Sequence, residues 1–209
     1  MIELVIFDAD GVLFDSSESN IAYYNAIFDA IGEAPLSPAE EIASYSYATS
    51  TVFAERAQGD HDRIARMVEA ARVLDNDPFL KMLRPPLELR PFMTELKKEY
   101  RLALATNRSG TVPALIEHLK LEGIFDAVAS ARDRVRPKPA PDILNLCLER
   151  AGASASRAVY VGDSTIDLEA AREAGVHFIA VGPRITHDHR VETIIDLPAR
   201  LSALIASLL

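Results

Sequence analysis

Glu3-Leu4-Val5-Ile6-Phe7-Asp8-Ala9-Asp10-Gly11-Val12 is the stretch on which the fold turns. Leu4 to Phe7 are apolar with no polar alternation, and the run stops at Asp8. Strands covered on both faces read this way, as in a parallel sheet. In such sheets ligands bind outside the carboxyl ends of the strands. Asp8 and Asp10 stand at that end, and Gly11 permits the turn that lets both face one point. The alternative reading is a pair of solvated turn aspartates.

Similar runs recur at Leu102-Ala103-Leu104-Ala105-Thr106, Ala127-Val128-Ala129-Ser130, Val159-Tyr160-Val161-Gly162 and Phe178-Ile179-Ala180-Val181. Helical patterns separate them. Val112, Leu115, Ile116 and Leu119 have the spacing of one helix face, with Pro113 near the start and Gly123 past the end. Ile143, Leu146 and Cys147 are closed by Gly152, and Leu168, Ala171 and Ala174 by Gly175. Strand-helix alternation predicts an α/β fold with a doubly wound parallel sheet.

Between residues 16 and 87 strand signals vanish. Ile21, Tyr24, Phe28 and Ile31 form one helical stripe ending at Gly32, and Ile64, Met67, Val68, Ala71 and Leu74 form another. Pro78, Pro85, Pro86 and Pro91 punctuate the exit and mark a hinge. The expected organisation is an α/β core of residues 1–15 and 88–209, with a small all-helical domain of residues 16–87 inserted. A chain of 209 residues has room for both.

The net charge is −9 and no Lys/Arg block occurs, which excludes a general nucleic-acid binder. An anionic substrate then requires a cation and a few placed basic groups to reverse the potential locally. No apolar run approaches the ~20 residues that span a bilayer, so no membrane partner is expected. Glu3 interrupts the first apolar run, which argues against a signal peptide. Cys147 is the single cysteine and cannot form an internal disulfide, which points to a reducing cytoplasm. The oligomeric state is not legible.

Three further constellations carry chemistry. Gly162-Asp163-Ser164-Thr165-Ile166-Asp167 follows a strand, with Ser164 or Thr165 placed to cap a helix and Asp167 in its first turn. Asp8, Asp10 and Asp163 would converge at one edge of the sheet. Uncompensated carboxylates that close repel, and a hard divalent cation such as Mg²⁺ relieves them. Thr106-Asn107-Arg108-Ser109-Gly110 offers a hydroxyl and backbone N–H groups, either a phosphate cradle at a helix N-terminus or a routine cap. Lys138 stands between Pro137 and Pro139, which makes it a placed counter-charge more than a solvated lysine.

Asp8-Ala9-Asp10-Gly11-Val12, Thr106-Asn107, Lys138-Pro139 and Gly162-Asp163-Ser164-Thr165-Ile166-Asp167 resemble, in order and spacing, the four signature motifs of the haloacid dehalogenase (HAD) superfamily. Residues 16–87 resemble its helical cap, as in phosphoglycolate phosphatase-like and β-phosphoglucomutase-like members. The resemblance implies a Mg²⁺-dependent phosphatase acting on a small phosphorylated substrate. Asp8 would be the nucleophile and Asp10 the acid/base. Thr106, Asn107 and Lys138 would bind the phosphoryl group. Asp8, Asp163 and the backbone carbonyl of Asp10 would hold Mg²⁺, with Asp167 behind them or acting through water. A carboxylate at Asp10 argues for phosphoryl transfer over dehalogenation, because an alkoxide must be protonated and water then activated. A phosphomutase of the same fold stays open as an alternative. A phospho-acceptor signalling domain would have no need of Asp10 or of a large insertion, and the complete set of motif residues argues against a catalytically idle binding protein.

Overall fold

The computed structural model describes residues 1–207. Its strands are β1 (Leu4–Phe7), β2 (Arg101–Thr106), β3 (Ala127–Ser130), β4 (Ala158–Gly162), β5 (His177–Val181) and β6 (Arg190–Val191). Between β1 and β2 lie α1 (Ser17–Ala30), α2 (Pro38–Ser44), α3 (Thr49–Ala57), α4 (His61–Val73), α5 (Asp77–Leu80) and α6 (Leu89–Leu96). After β2 come α7 (Val112–His118), α8 (Asp142–Ala151), α9 (Thr165–Ala174) and α10 (Leu197–Ser207).

The strands form one parallel sheet in the order β3-β2-β1-β4-β5-β6. The chain starts at the centre, runs to one edge, and returns to build the other half. β1 is therefore the switch point where a doubly wound sheet opens a crevice. Phe7 pairs with Leu104 on one side and Val161 on the other, so the ends of β1, β2 and β4 lie nearly level.

Alternate residues of each strand enter different cores. Val5, Phe7, Leu102, Leu104, Val159 and Val161 pack with Met93 of α6, Leu115 of α7 and Leu201 of α10. Leu4, Ile6, Ala103, Ala105, Ala158 and Tyr160 pack with Ile143 of α8 and Ala170 of α9. Both faces are covered, which is why the strands show no polar alternation. Cys147 is buried against β2 and donates to the Leu104 carbonyl at 3.3 Å. Burial pushes its thiol up to about 12, so it is an inert core group.

The segment between β1 and α6 has its own cluster, built on Tyr24, Ile27, Phe28, Phe53 and Met67. Arg56 lies 3.8 Å from the centre of the Phe28 ring and pairs with Glu33 at 3.0 Å. Arg63 pairs with Glu33 at 2.6 Å. Hydrogen bonding from Arg63, then from Arg56, holds the Glu33 carboxyl down at about 2. These two arginines are occupied within the segment.

The two chain crossings into and out of this segment pair with each other. The Asp15 N–H donates to the Arg84 carbonyl at 3.1 Å, and the Arg84 N–H to the Asp15 carbonyl at 3.0 Å. Pro85 and Pro86 follow directly. Pro78 and Pro91, read from sequence as part of the same hinge, instead sit near the starts of α5 and α6. A helix start needs no proline N–H, so the ring is accommodated there. β6 and α10 were not expected. β6 is two residues long and too short to show a period.

Met93 is fully buried on the face of β1 and β2. Met93→Ala should lower stability by about 2–5 kcal/mol. The measurement is a lower urea midpoint with an unchanged slope.

Candidate active site

Asp8 is the first residue beyond β1, Thr106 the last of β2, and Asp163 the first beyond β4. Adjacency of these strands brings the three together. Gly11 lets the chain turn back, with a φ of 73° that disfavours other residues. A Cβ built on Gly11 would lie 1.9 Å from Asp163 Oδ2, so the loop after β1 passes directly against that carboxylate. Gly162 admits a second close approach, since a Cβ there would meet the Asp167 side chain at 2.4 Å.

Lys138 is buried beneath this group. Its ammonium lies 2.8 Å from Asp8, 2.7 Å from Asp167, and donates to the Tyr160 hydroxyl at 2.8 Å. Tyr160 in turn donates to Asp167 at 2.7 Å. Asp167 also accepts from the Ser164 hydroxyl and from the backbone N–H groups of Asp163 and Ser164. These donors fix Asp167 as the anchor of Lys138.

The charges follow from burial. Desolvation raises the Asp8 carboxyl well above its usual range. Lys138 opposes this, while Asp167, Asp10 and Asp163 add to it. Desolvation, then the charge of Asp167, raises Asp163 to about 7 against the pull of Arg184 and Lys138. Burial works against the charge of Lys138, but Asp167 and Asp8 outweigh it and hold the ammonium above its ordinary value. Burial would also raise Asp167, and Lys138 with its other donors brings it down.

Asp10 departs from the sequence-based expectation. Its carboxylate does not join Asp8 and Asp163. It accepts from Nε and Nη2 of Arg108, each at 2.7 Å. The Arg108 charge and hydrogen bonds overcome burial and lower the Asp10 carboxyl. Among the described residues, the group spaced to hold a metal is Asp8, Asp163 and Asp167, with one oxygen from each within 4.8 Å of the others. An oxygen-only set in which Asp8 and Asp163 are raised by burial and mutual repulsion fits a hard divalent cation.

Thr106 is buried at the end of β2, and its hydroxyl oxygen accepts from the Arg108 N–H at 3.2 Å, which leaves the hydroxyl proton free. Asn107, expected to bind substrate, is engaged elsewhere. Its Oδ1 accepts from the Lys138 N–H at 2.8 Å, and its Nδ2 donates to the carbonyls of Lys138 at 3.2 Å and Ser46 at 3.3 Å. It positions the lysine loop. The cradle expected at a helix N-terminus is a loop, because α7 begins only at Val112.

Sequence reading missed Tyr160, Arg108 and Arg184. A tyrosine inside a strand covered on both faces needs a partner for its hydroxyl, and that signal could have found Tyr160. Arg184 pairs with Asp163, and its guanidinium lies 5.3 Å from the centre of the Tyr45 ring. It follows β5 in an irregular segment with no pattern to mark it. Above the strand ends lies a cavity of about 530 Å³, with Asp8, Asp10, Thr106 and Lys138 at its base and Tyr23, Tyr24 and Phe53 among its walls.

Asp163→Asn tests the electrostatics. The folded carboxyl sits near 7, above its unfolded value, so the folded state holds more protons between about pH 4 and 7. In chelator, the wild type should lose stability relative to Asp163→Asn as pH rises through that window. Paired urea melts at pH 5 and pH 8 measure the difference.

The sequence matches the haloacid dehalogenase-like hydrolase family over residues 5–181. A phosphoglycolate phosphatase of Aliivibrio fischeri is 30% identical over 193 residues, covering 86% of this chain and 84% of the relative. A fructose-1-phosphate phosphatase of Escherichia coli is 28% identical, covering 85% and 95%. A HAD-superfamily hydrolase, subfamily IA, of Geobacter sulfurreducens superposes with a TM-score of 0.73 at 30% identity, covering 96% of both chains. The chain belongs to the haloacid dehalogenase-like hydrolases.

Proposed function

We propose that this hydrolase is a Mg²⁺-dependent phosphatase that releases phosphate from a small phosphorylated metabolite through an aspartyl-phosphate on Asp8. The observation that carries the reading is the meeting of Asp8, Thr106, Lys138 and Asp163 at three level strand ends. Relatives named for phosphoglycolate and fructose-1-phosphate support the substrate class. Residues 16–87 act as a cap over the core of residues 1–15 and 88–209.

In the first half-reaction an Asp8 oxygen bonds to phosphorus while the bond from phosphorus to the alcohol oxygen breaks. Asp10 gives its proton to that oxygen. In the second half, Asp10 takes a proton from water as the water oxygen bonds to phosphorus. The bond from phosphorus to Asp8 breaks and inorganic phosphate leaves. Thr106 donates its hydroxyl to the phosphoryl group, and Lys138 neutralises charge beside it. Lys138 also keeps Asp8 oriented, with Asp167 and Tyr160 holding the lysine in place. Asp8, Asp163 and the backbone carbonyl of Asp10 would hold Mg²⁺, which supplies charge neutralisation at the transferring phosphoryl group.

Asp8→Asn should abolish Mg²⁺-dependent phosphate release while the thermal melt keeps its cooperativity. Measurable turnover in that variant would overturn the reading. Asp10→Ala should lower kcat by about 10²–10⁴-fold, the usual worth of a general acid/base. Assays of sugar monophosphates with and without a bisphosphate activator separate a hydrolase, which frees phosphate, from a mutase, which isomerises the sugar phosphate.

A further inference from the structure

Arg108 is the unexplained charge of this site. It projects from the loop after β2 into the cavity, and its side chain keeps 17% of its surface exposed. Both oxygens of Asp10 are taken by its fork, at 2.7 Å each. Nη2 also donates to Asn20 Oδ1 of α1 at 3.4 Å. In this arrangement a charge-assisted hydrogen bond on each oxygen holds Asp10 as a carboxylate, so the proton donation to a leaving group described above requires Arg108 to let go. The backbone of Arg108 is tied to Thr106 through its N–H, so the motion belongs to the side chain.

A released guanidinium inside a cavity needs another anion. The walls offer none, since among the described residues Asp8 and Asp10 are the only acids that line the cavity. The lining holds two other cations. Lys138 is committed at the base to Asp8 and Asp167. Arg72 is 69% exposed at its side chain and pairs with Glu69. Arg108 is therefore the one sheltered cation on the side of the cavity where the alcohol part of a phosphate ester would lie. The fork already holds a carboxylate in the bidentate manner, so a substrate carboxylate could replace that of Asp10 atom for atom.

We propose that Arg108 is a specificity residue that exchanges Asp10 for an oxyanion on the alcohol portion of the substrate, freeing Asp10 for catalysis. The inference rests on the phosphatase reading. It names the substrate class as phosphate monoesters whose alcohol carries a carboxylate or a second phosphate. A neutral alcohol leaves the arginine on Asp10 and is turned over poorly.

The test compares kcat/KM with Mg²⁺ for 2-phosphoglycolate, fructose 1,6-bisphosphate and glucose 1-phosphate in the wild type, Arg108→Ala and Arg108→Lys. The wild type should prefer one of the two anion-bearing esters to glucose 1-phosphate, and which one identifies the oxyanion. Arg108→Ala should reduce that preference at least tenfold, and Arg108→Lys, which keeps charge but loses the fork, should reduce it less. A ratio between substrates is insensitive to a partly damaged fold. If Arg108→Ala proves insoluble, the lysine variant alone decides. A wild type that favours glucose 1-phosphate, or a preference unchanged by every soluble variant, overturns the role of Arg108 and leaves the phosphatase reading standing. A wild type that releases phosphate from none of these esters and from no other phosphate monoester sinks both.

Discussion

Lys138 is the counter-charge on which the site depends. Asp8, Asp163 and Asp167 place three buried carboxylates within one small volume. Such a group is unfavourable unless a cation stands among them. Lys138 touches two of the three, and Arg184 pairs with the other. Asp167 and Tyr160 are in turn shaped around the lysine. The same local cations resolve the problem posed by a net charge of −9, because an anion approaching the strand ends meets a lysine and two arginines rather than the average surface.

Strand order supplies the geometry. The residues of the site come from widely separated parts of the chain, but β1 has β2 and β4 as its neighbours, and their ends are level. Each strand can then place one functional side chain at its exit without bending the sheet. The glycines at positions 11 and 162 allow the loops to approach more closely than a side chain would permit.

The seam between the core and the helical segment is polar at the site. Asn107 reaches Ser46, Arg108 reaches Asn20, and Arg184 lies beside Tyr45. The helical segment keeps its own apolar cluster. Polar contacts of this kind exchange readily for water or ligand. The paired backbone at Asp15 and Arg84 makes the crossing between them short and defined.

Much of this was legible from one dimension. Apolar runs without alternation at Leu4–Phe7 and its counterparts reveal buried parallel strands, because a strand covered on both faces has no polar side to show. Acids and a threonine directly after such runs mark the crevice, because a parallel sheet puts its strand ends on one edge. Asp8, Thr106 and Asp163 follow from that logic, and Lys138 from the prolines that flank it. The direction of each side chain does not. Asp10 turns to Arg108, Asn107 spends its amide on the Lys138 loop, and Asp167 is held by Lys138, Tyr160 and Ser164. Local pattern determined which elements form and where charge gathers, because both depend on neighbours in the chain. Tertiary packing alone decided which donor meets which acceptor, because Arg108 and Asp10, or Lys138 and Tyr160, become partners only when distant strands lie side by side.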